Sequence, residues 1–296
     1  MRAMILAGMV FLFVVGCAPK TASMAAESRG SVGGPTTRAS RAGELTVMTF
    51  NLRYASAKAP NAWPARRAVM RDQIRAADPD VFGTQEGLYG QLKDIEADLG
   101  GEYAWIGLGR EGGSKGEFMA VFYRTSRLEP VAFDHFWLSD TPSVIGSTTW
   151  GNTNRRMVTW VRFKDLADGR EFYFWNTHLD HQVQAAREKS AELIRRRMEA
   201  LGTSVPIILA GDFNAAAKGN KAYDILTEGG FLTDTWKGEE VPTFHNFTGT
   251  ANPKLGRIDW ILTRGDVRAE STKVLRLEEG GQYPSDHFPV VAKLRY

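Results

Sequence analysis

The segment Pro206-Ile207-Ile208-Leu209-Ala210-Gly211-Asp212-Phe213-Asn214 begins apolar and ends polar. Its apolar half predicts a short buried strand. Strand alternation would place Asp212 and Asn214 on the same side, and Gly211 would let a ligand come close to the backbone. Because Asp-x-Asn is also common in turns and helix caps, the segment by itself is compatible with either a structural or a catalytic role.

Other apolar runs along the chain are flanked by polar residues in the same way. The flanking sequences are Asn51 at the end of an opening strand, Thr84-Gln85-Glu86 after Val81-Phe82, Asn176-Thr177-His178 after an aromatic run, and Ser285-Asp286-His287 before the last run. A charge embedded in apolar sequence is costly unless it is hydrogen-bonded or used. The repeated pattern therefore predicts one functional site at one rim of a sheet assembly.

Hydrophobic periodicity predicts alternating strands and helices. Helical spacing surrounds Ile74, Ile95, Ile194 and Ile225. Strand-like runs lie at Leu45–Phe50, Phe118–Tyr123, Met157–Phe163, Phe172–Asn176, Ile207–Ala210, Ile258–Leu262 and Phe288–Leu294. No repeat or linker interrupts the chain after Glu44, so the simplest prediction is one α/β domain over residues 44–296.

The amino terminus has the features of an export signal. Arg2 precedes an apolar run that is too short for a membrane-spanning helix of roughly 20 residues. Val14-Val15-Gly16-Cys17 resembles a bacterial lipobox, which predicts a signal peptide over residues 1–16 and a lipid on Cys17. Small and polar residues up to position 43 predict a flexible tether. We expect an exported protein, anchored by its lipid to the cell envelope; an ordinary signal peptide or an uncleaved anchor is the alternative.

Charge and cysteine content exclude some kinds of chemistry. Five of the 37 basic side chains and one of the 34 acidic ones precede residue 44, which leaves 32 basic and 33 acidic side chains in the predicted domain. Proteins that bind long nucleic acids usually have a clear positive surplus, so this balance argues modestly against a nuclease. Cys17 is the only cysteine, which excludes a cysteine nucleophile and cysteine-bound zinc from the domain.

Several motifs together resemble a known family. They are Asn51 after Met48-Thr49-Phe50, Gln85-Glu86, Asn176-Thr177-His178-Leu179, Gly211-Asp212-Phe213-Asn214, Arg257-Ile258-Asp259-Trp260-Ile261 and Ser285-Asp286-His287. In this order they resemble the motifs of the endonuclease/exonuclease/phosphatase superfamily, the fold of pancreatic-type deoxyribonuclease. The resemblance implies a four-layered α/β sandwich, with two mixed β-sheets packed face to face and helices outside.

The resemblance also implies catalytic roles. His287 matches the catalytic histidine and Asp259 the acid that orients it, while His178 matches the second histidine and Glu117 its carboxylate partner. Asp212 and Asn214 match the pair that positions the attacking water and the phosphoryl oxygens. These roles are chemically reasonable, because a histidine that titrates near neutrality can transfer protons and a carboxylate behind it fixes its tautomer.

A metal site is implied by the same comparison of motifs. Glu86 matches the metal-binding glutamate, with Asn51 and Asp286 close enough to help hold the ion or its waters. An oxygen-rich set of ligands suits Mg²⁺ or Mn²⁺. The sequence leaves open whether one ion or two take part.

Three further residues are candidates for substrate binding. Arg156 falls where the family has an arginine near the phosphate, although the adjacent Arg155 could take this place. His181 could contact substrate or simply be an exposed residue at the start of a helix. His245, in the loop segment Thr243-Phe244-His245-Asn246-Phe247, could line a specificity pocket, or the loop could be merely anchored by its aromatic residues.

The implied reaction is metal-dependent hydrolysis of a phosphate ester by in-line attack of a histidine-activated water. A small organic phosphomonoester or phosphodiester is the favoured substrate. The alternatives are a nuclease or deadenylase-like exonuclease acting on RNA or DNA, a sphingomyelinase-like phosphodiesterase, and a non-catalytic binding protein with the same fold. We expect a monomer that contacts the membrane only through the lipid on Cys17.

Overall fold

Two six-stranded β-sheets dominate the computed structural model, which describes residues 42–296. The strands are β1 (Glu44–Asn51), β2 (Val81–Gln85), β3 (Tyr103–Ile106), β4 (Val121–Arg124), β5 (Leu128–Trp137), β6 (Met157–Asp165), β7 (Glu171–His178), β8 (Ile207–Asp212), β9 (Thr233–Asp234), β10 (Asp259–Arg264), β11 (Arg268–Val274) and β12 (Val290–Arg295). The helices are α1 (Trp63–Ala77), α2 (Tyr89–Asp98), α3 (Gln184–Ala200) and α4 (Lys221–Thr227), with a 3₁₀ turn at Glu228–Gly230.

Both sheets are mixed. Their strand orders are β11-β12-β1-β2-β4-β3 and β5-β6-β7-β8-β10-β9. Strands β1 and β2 are parallel, as are β7 and β8, while the other neighbouring strands pair antiparallel. Helices α1 and α3 make the two crossovers that parallel pairing requires.

The core is divided into layers by the two sheets. The layer between the sheets contains Val47 and Val81 from the first sheet and Phe174 and Ile208 from the second. The outer face of the first sheet packs on α1 and α2, and the outer face of the second packs on α3 and α4. Because β1 and β8 are buried on both faces, neither shows the simple alternation of a strand with one exposed face, although β1 also contains the buried Thr46 and Thr49. The predicted four-layered α/β sandwich is confirmed.

The strand ends gather polar side chains at one rim. Strands β1, β7 and β8 end at Asn51, His178 and Asp212, and β10 begins at Asp259. His178 lies opposite Asp212 in the parallel pair, and Asp212 lies opposite Asp259 in the antiparallel pair. The parallel pair of β7 and β8, with its antiparallel neighbour β10, thus places His178, Asp212 and Asp259 side by side on three adjacent strands.

Near this rim the interface between the sheets becomes polar. The Asn176 amide, on β7, donates hydrogen bonds to the carbonyl oxygens of Thr84 (2.8 Å) and Ala120 (2.9 Å) in the other sheet. Its Oδ1 accepts from Gln85 Nε2 at 2.7 Å. Gly83 makes room for this side chain, since a Cβ there would lie 2.6 Å from Asn176 Oδ1.

The structure differs from the predicted elements mainly at the sheet edges. Strand β4 begins at Val121, because Phe118 forms isolated bridges with Gly87 and Gly109 instead. The four edge strands β3, β5, β9 and β11 were not predicted. Strands β3 and β9 have only four and two residues, too few to show a period. Strands β5 and β11 each contain a register shift, at Pro130/Ala132 and Ala269/Ser271. A register shift interrupts the alternation that identifies a strand in sequence.

The predictions for the amino terminus lie almost wholly outside the described residues. The signal peptide, the lipid on Cys17 and the tether as far as residue 41 therefore stay predictions. Within residues 42–296, no helix has the length and apolar character needed to span a membrane.

We expect Gly83→Ala to destabilise the domain by about 1–3 kcal/mol, because the new methyl group overlaps the Asn176 amide that joins the sheets. Urea unfolding would measure the loss. Gly90→Ala is the matched control, since Gly90 lies in α2 with no atom within 4 Å of the added Cβ, and it should be neutral or slightly stabilising. Equal stability of the two variants would contradict this account of the sheet interface.

Candidate active site

A cleft of about 320 Å³ opens at the rim where the strand ends meet. The predicted site residues that line it are Glu86, Glu117, Arg156, His178, His181, Asp212, Asn214, Asp286 and His287. Asn51 and Asp259 are buried beneath it and hydrogen-bond to lining residues. The fold therefore brings together all the predicted site residues except His245.

His287 and Asp259 form a buried pair. His287 Nδ1 lies 3.0 Å from Asp259 Oδ2, which leaves Nε2 directed at Asp212, 3.8 Å from its Oδ2. Burial opposes protonation, but the Asp259 and Asp212 carboxylates outweigh it and raise the pKa of His287 to about 10. The pair can therefore hold a proton at Nδ1 and present Nε2 to the cleft.

His178 has a different environment. Its Nε2 accepts from the Asn214 amide at 2.9 Å and lies 3.5 Å from Asp212 Oδ2, while Nδ1 is buried without a hydrogen-bond partner among residues 42–296. Burial, together with the positive charges of Arg156 and His287, lowers its pKa well below the ordinary value. His178 is therefore neutral at physiological pH in this arrangement.

Glu86 and Asp286 bring two carboxylates together at the end of the first sheet. The Arg53 guanidinium lies between them, with Nη1 3.8 Å from Glu86 Oε2 and Nε 3.6 Å from Asp286 Oδ2. Burial, with Glu86 as a further contribution, raises the pKa of Asp286. Asn51 donates to Glu86 Oε1 (3.0 Å) and to Asp212 Oδ2 (2.9 Å), and so fixes carboxylates on both sheets.

The donor atoms at this position fit a hard dication. Glu86 and Asp286 contribute only oxygen atoms and do not hydrogen-bond to each other. Their mutual repulsion is offset in this structure by the Arg53 guanidinium, which lies beyond hydrogen-bond distance of both. Asn51 Oδ1 accepts from the Arg53 backbone amide at 2.9 Å, which leaves its second lone pair for an ion or its waters. The predicted contribution of Asn51 to the metal site stays a prediction, and in this structure its amide orients Glu86.

A second cluster could be considered for the metal, since one ligand atom from each of Asp212, Asp259 and His287 lies within 4.8 Å of the others. Asp259 Oδ2 and His287 Nδ1 are already joined by their own hydrogen bond, however. A metal that used these two atoms would break the pair. We therefore favour Glu86 and Asp286.

Arg156 is a buried cation on the cleft wall. Its Nη2 lies 3.2 Å from His181 Nδ1 and its Nε lies 3.8 Å from Asp180 Oδ2, beyond hydrogen-bond distance. Nε and Nη1 are both buried without a hydrogen-bond partner among the described residues. The neighbouring Arg155 is 44% exposed and donates to the Gly146 carbonyl instead. Arg156 is thus the arginine that faces the cleft.

Backbone strain is concentrated around the same cleft. Arg53, Glu86 and Asn214 have positive φ angles of 50°, 62° and 49°, although none is a glycine. Such conformations cost about 1–3 kcal/mol each and persist only where the surroundings enforce them. Here each lies just after a strand end and directs its side chain into the site.

A model of the Endonuclease/Exonuclease/phosphatase family matches residues 48–287. The chain belongs to this family. The matched range includes every predicted catalytic and metal-binding residue, from Asn51 to His287.

Solved structures and a curated protein are similar to the chain. A mannosyl-6-phosphatase of Bacteroides thetaiotaomicron is 35% identical, with a TM-score of 0.79 over 85% of this chain and 100% of that chain. A family member from Bacteroides vulgatus is 33% identical, with a TM-score of 0.79 over 85% and 98%. An uncharacterized protein of Acanthamoeba polyphaga mimivirus is 27% identical over 176 residues, which are 57% of this chain and 65% of that protein's length.

The family resemblance misplaced the partner of Glu117. Glu117 was predicted to hydrogen-bond to His178, but it pairs with Arg110 instead, Nη1 to Oε2 at 2.5 Å. Burial is the main cause that raises the pKa of Glu117. Glu117 pairs with Arg110 and not with His178 because a full positive charge stabilises a buried carboxylate more than a neutral imidazole does.

His245 does not line the cleft, so the prediction that it contacts substrate is corrected. Its ring is buried and stacks on Phe288 with 3.9 Å between centroids, and its Nδ1 accepts from the Gly249 amide at 3.2 Å. The His245 backbone amide donates to the Asp286 carbonyl at 2.8 Å. The residue therefore supports the segment that carries Asp286.

Sequence reasoning missed several cleft residues. Arg53, Tyr54, Arg110, Asn154 and Leu255 all line the cleft. Arg53 and Tyr54 follow the Asn51 motif directly, which was the one available signal. Arg110, Asn154 and Leu255 lie in irregular segments, where no periodicity indicates which side chain faces inward.

Proposed function

We propose that the protein is a metal-dependent phosphomonoesterase that acts on a sugar phosphate. The single observation that supports this most is Arg156, whose buried Nε and Nη1 have no partner in residues 42–296 and which faces a cleft shared with two histidines. A desolvated guanidinium with free donors is well suited to bind a phosphate. The pair Glu86 and Asp286 adds a site for the dication that phosphoryl transfer needs.

The walls of the cleft favour a small substrate. The loop before Arg156 and the loop that carries Arg110 stand side by side, since Trp137 Nε1 donates to the Arg110 carbonyl at 2.7 Å and Arg155 Nη1 lies 4.0 Å from Glu111 Oε1. A polymer laid across the rim would meet this wall. The slight acidic surplus of residues 44–296 also disfavours a long polyanion.

The cleft residues can each take part in hydrolysis. A water between Asp212 and His287 would attack phosphorus opposite the ester oxygen, so that an O–P bond forms and the P–O bond to the sugar breaks. The proton of the water would pass to Asp212, because burial and the Asp259 charge raise the pKa of Asp212 to about 7. His287, which its raised pKa keeps protonated, would donate from Nε2 and stabilise the charge that develops. Arg156 and the Asn214 amide would hold the phosphoryl oxygens. The leaving oxygen would take its proton from solvent, because the neutral His178 accepts a hydrogen bond at Nε2 and carries no proton there.

A dication held by Glu86 and Asp286 would neutralise charge that develops on the phosphoryl group. Asn51 would keep Glu86 and Asp212 in a fixed relation, since its amide contacts both. This arrangement suits Mg²⁺ or Mn²⁺, which prefer oxygen ligands.

The choice of a sugar phosphate is supported by the mannosyl-6-phosphatase, which is similar along its whole length. The direct test is a panel of mannose 6-phosphate, a phosphodiester, single-stranded RNA and DNA, and sphingomyelin, each assayed with Mg²⁺ and with excess chelator. We expect hydrolysis of the sugar phosphate to predominate, to stop in chelator and to return with Mg²⁺ or Mn²⁺. Undiminished hydrolysis in chelator by protein free of tightly bound metal would exclude the metal, and a preference for a nucleic acid or sphingomyelin would exclude the substrate class.

His287 and Asp259 should act as one unit. We expect His287→Ala and Asp259→Asn each to lower kcat by roughly 10²- to 10⁴-fold with little effect on folding. The double variant should be scarcely worse than His287→Ala alone, because loss of the histidine leaves its partner idle. Steady-state kinetics on the best substrate of the panel would measure this. Additive losses, or near-normal turnover by His287→Ala, would assign the chemistry to other residues.

We also propose that the mature protein is exported and anchored through a lipid on Cys17, as its sequence indicates. Cys17→Ser should block processing or release the protein from the membrane fraction. Mass spectrometry of the mature amino terminus would check this, and an unmodified terminus downstream of residue 17 would disprove the anchor.

A further inference from the structure

A second pocket of about 270 Å³ adjoins the cleft and shares Arg53 with it. We call it the Arg53 pocket; its other principal residues are Lys58, Asn61, Asn246 and Phe247. None of these four residues lines the cleft. Because one side chain lines both cavities, they are neighbours on either side of the Arg53 guanidinium.

The Arg53 pocket is rich in hydrogen-bond donors and lined by no carboxylate. The Arg53 guanidinium makes no hydrogen bond to any described residue, its nearest carboxylate atoms lying at 3.6 and 3.8 Å. Lys58 Nζ forms neither a hydrogen bond nor an ion pair within residues 42–296. Asn61 uses its Oδ1 to accept from Gln282 at 3.2 Å, which leaves its amide hydrogens for a ligand. Lys58, the Asn61 amide and an arginine whose two ion pairs are longer than hydrogen bonds together suit an oxyanion.

The walls of this pocket are held by a buried arginine. Arg66 is fully buried and donates to the carbonyl oxygens of Arg53 (2.9 Å), Tyr54 (3.3 Å) and Asn61 (2.9 Å). Its guanidinium also lies 5.6 Å from the centroid of the Phe247 ring on the opposite wall. The shape of the pocket is therefore fixed before any ligand arrives, which lowers the entropic cost of binding.

Backbone strain marks the same walls. Arg53, Asn246 and Phe247 all have positive φ angles, of 50°, 49° and 61°. Two consecutive non-glycine residues in this conformation are unusual and costly. The strain directs Asn246 and Phe247 toward the cavity that Arg53 faces.

We infer that the Arg53 pocket binds a second oxyanion carried by the leaving group of the substrate, so that the enzyme prefers a sugar with two anionic groups over a simple sugar phosphate. This rests on the proposed phosphomonoesterase activity. The scissile phosphate would lie at Arg156, the sugar would pass Arg53, and the second phosphate would lie between Arg53 and Lys58.

The test compares mannose 6-phosphate with mannose 1,6-bisphosphate. Wild-type protein should have a kcat/KM about tenfold higher for the bisphosphate, mostly through KM, as expected for one added charge-assisted hydrogen bond or two. Phosphorus NMR would identify which phosphate leaves. Lys58→Gln should remove most of this preference, since Lys58 touches only the second anion.

Lys115→Gln is the matched control. Lys115 is exposed on the loop at the opposite side of the cleft and lines neither cavity, yet the variant makes the same change in net charge. It should keep the preference for the bisphosphate. Equal kcat/KM for the two esters in wild-type protein, or an equal loss of preference in both variants, would overturn the inference. Failure to hydrolyse either ester would instead refute the proposed function itself.

Discussion

The Asn176 side chain is the contact on which the geometry of the site depends. The active-site groups come from two separate sheets: Glu86 and Asp286 from the first, His178 and Asp212 from the second. Apolar packing between sheets is non-directional and tolerates sliding. The hydrogen bonds from Asn176 to two backbone carbonyls of the other sheet are directional. Only glycine at position 83 leaves room for the Asn176 side chain. They fix how the two halves of the site face each other.

Asn51 continues this polar connection into the cleft. It donates to Glu86 at the end of the first sheet and to Asp212 at the end of the second, so one amide joins the candidate metal site to the candidate nucleophile site. Buried carboxylates are expensive unless they are hydrogen-bonded or paired. The carboxylates of this site share hydrogen-bond donors such as the Asn51 amide. A change at one carboxylate therefore alters the environment of the next.

Much of this could be predicted from the sequence, because the informative residues follow strands. Asp212 and Asn214 both line the cleft, but β8 ends at Asp212, so Asn214 is placed by its positive φ and not by the predicted strand alternation. The predictions were wrong where position depends on loops. Nothing local distinguishes Glu117 paired with Arg110 from Glu117 paired with His178, and nothing local shows that His245 stacks inward on Phe288. Edge strands β5 and β11 escaped prediction because register shifts interrupt their alternation.

The arginines of the cleft show how its charges are balanced without substrate. Arg110 is committed to Glu117 by a close ion pair, whereas Arg53 stands between Glu86 and Asp286 without hydrogen-bonding to either. Arg156 has its nearest carboxylate oxygen at 3.8 Å and keeps two donors free. The Arg110–Glu117 pair is hydrogen-bonded, whereas Arg53 and Arg156 lie beyond hydrogen-bond distance of their nearest carboxylates. A phosphate would pair with Arg156, and a cation would pair with Glu86 and Asp286, while the Arg110–Glu117 pair stayed intact. The Arg53 guanidinium, relieved of offsetting two carboxylates, would then be available to the second pocket that it also lines.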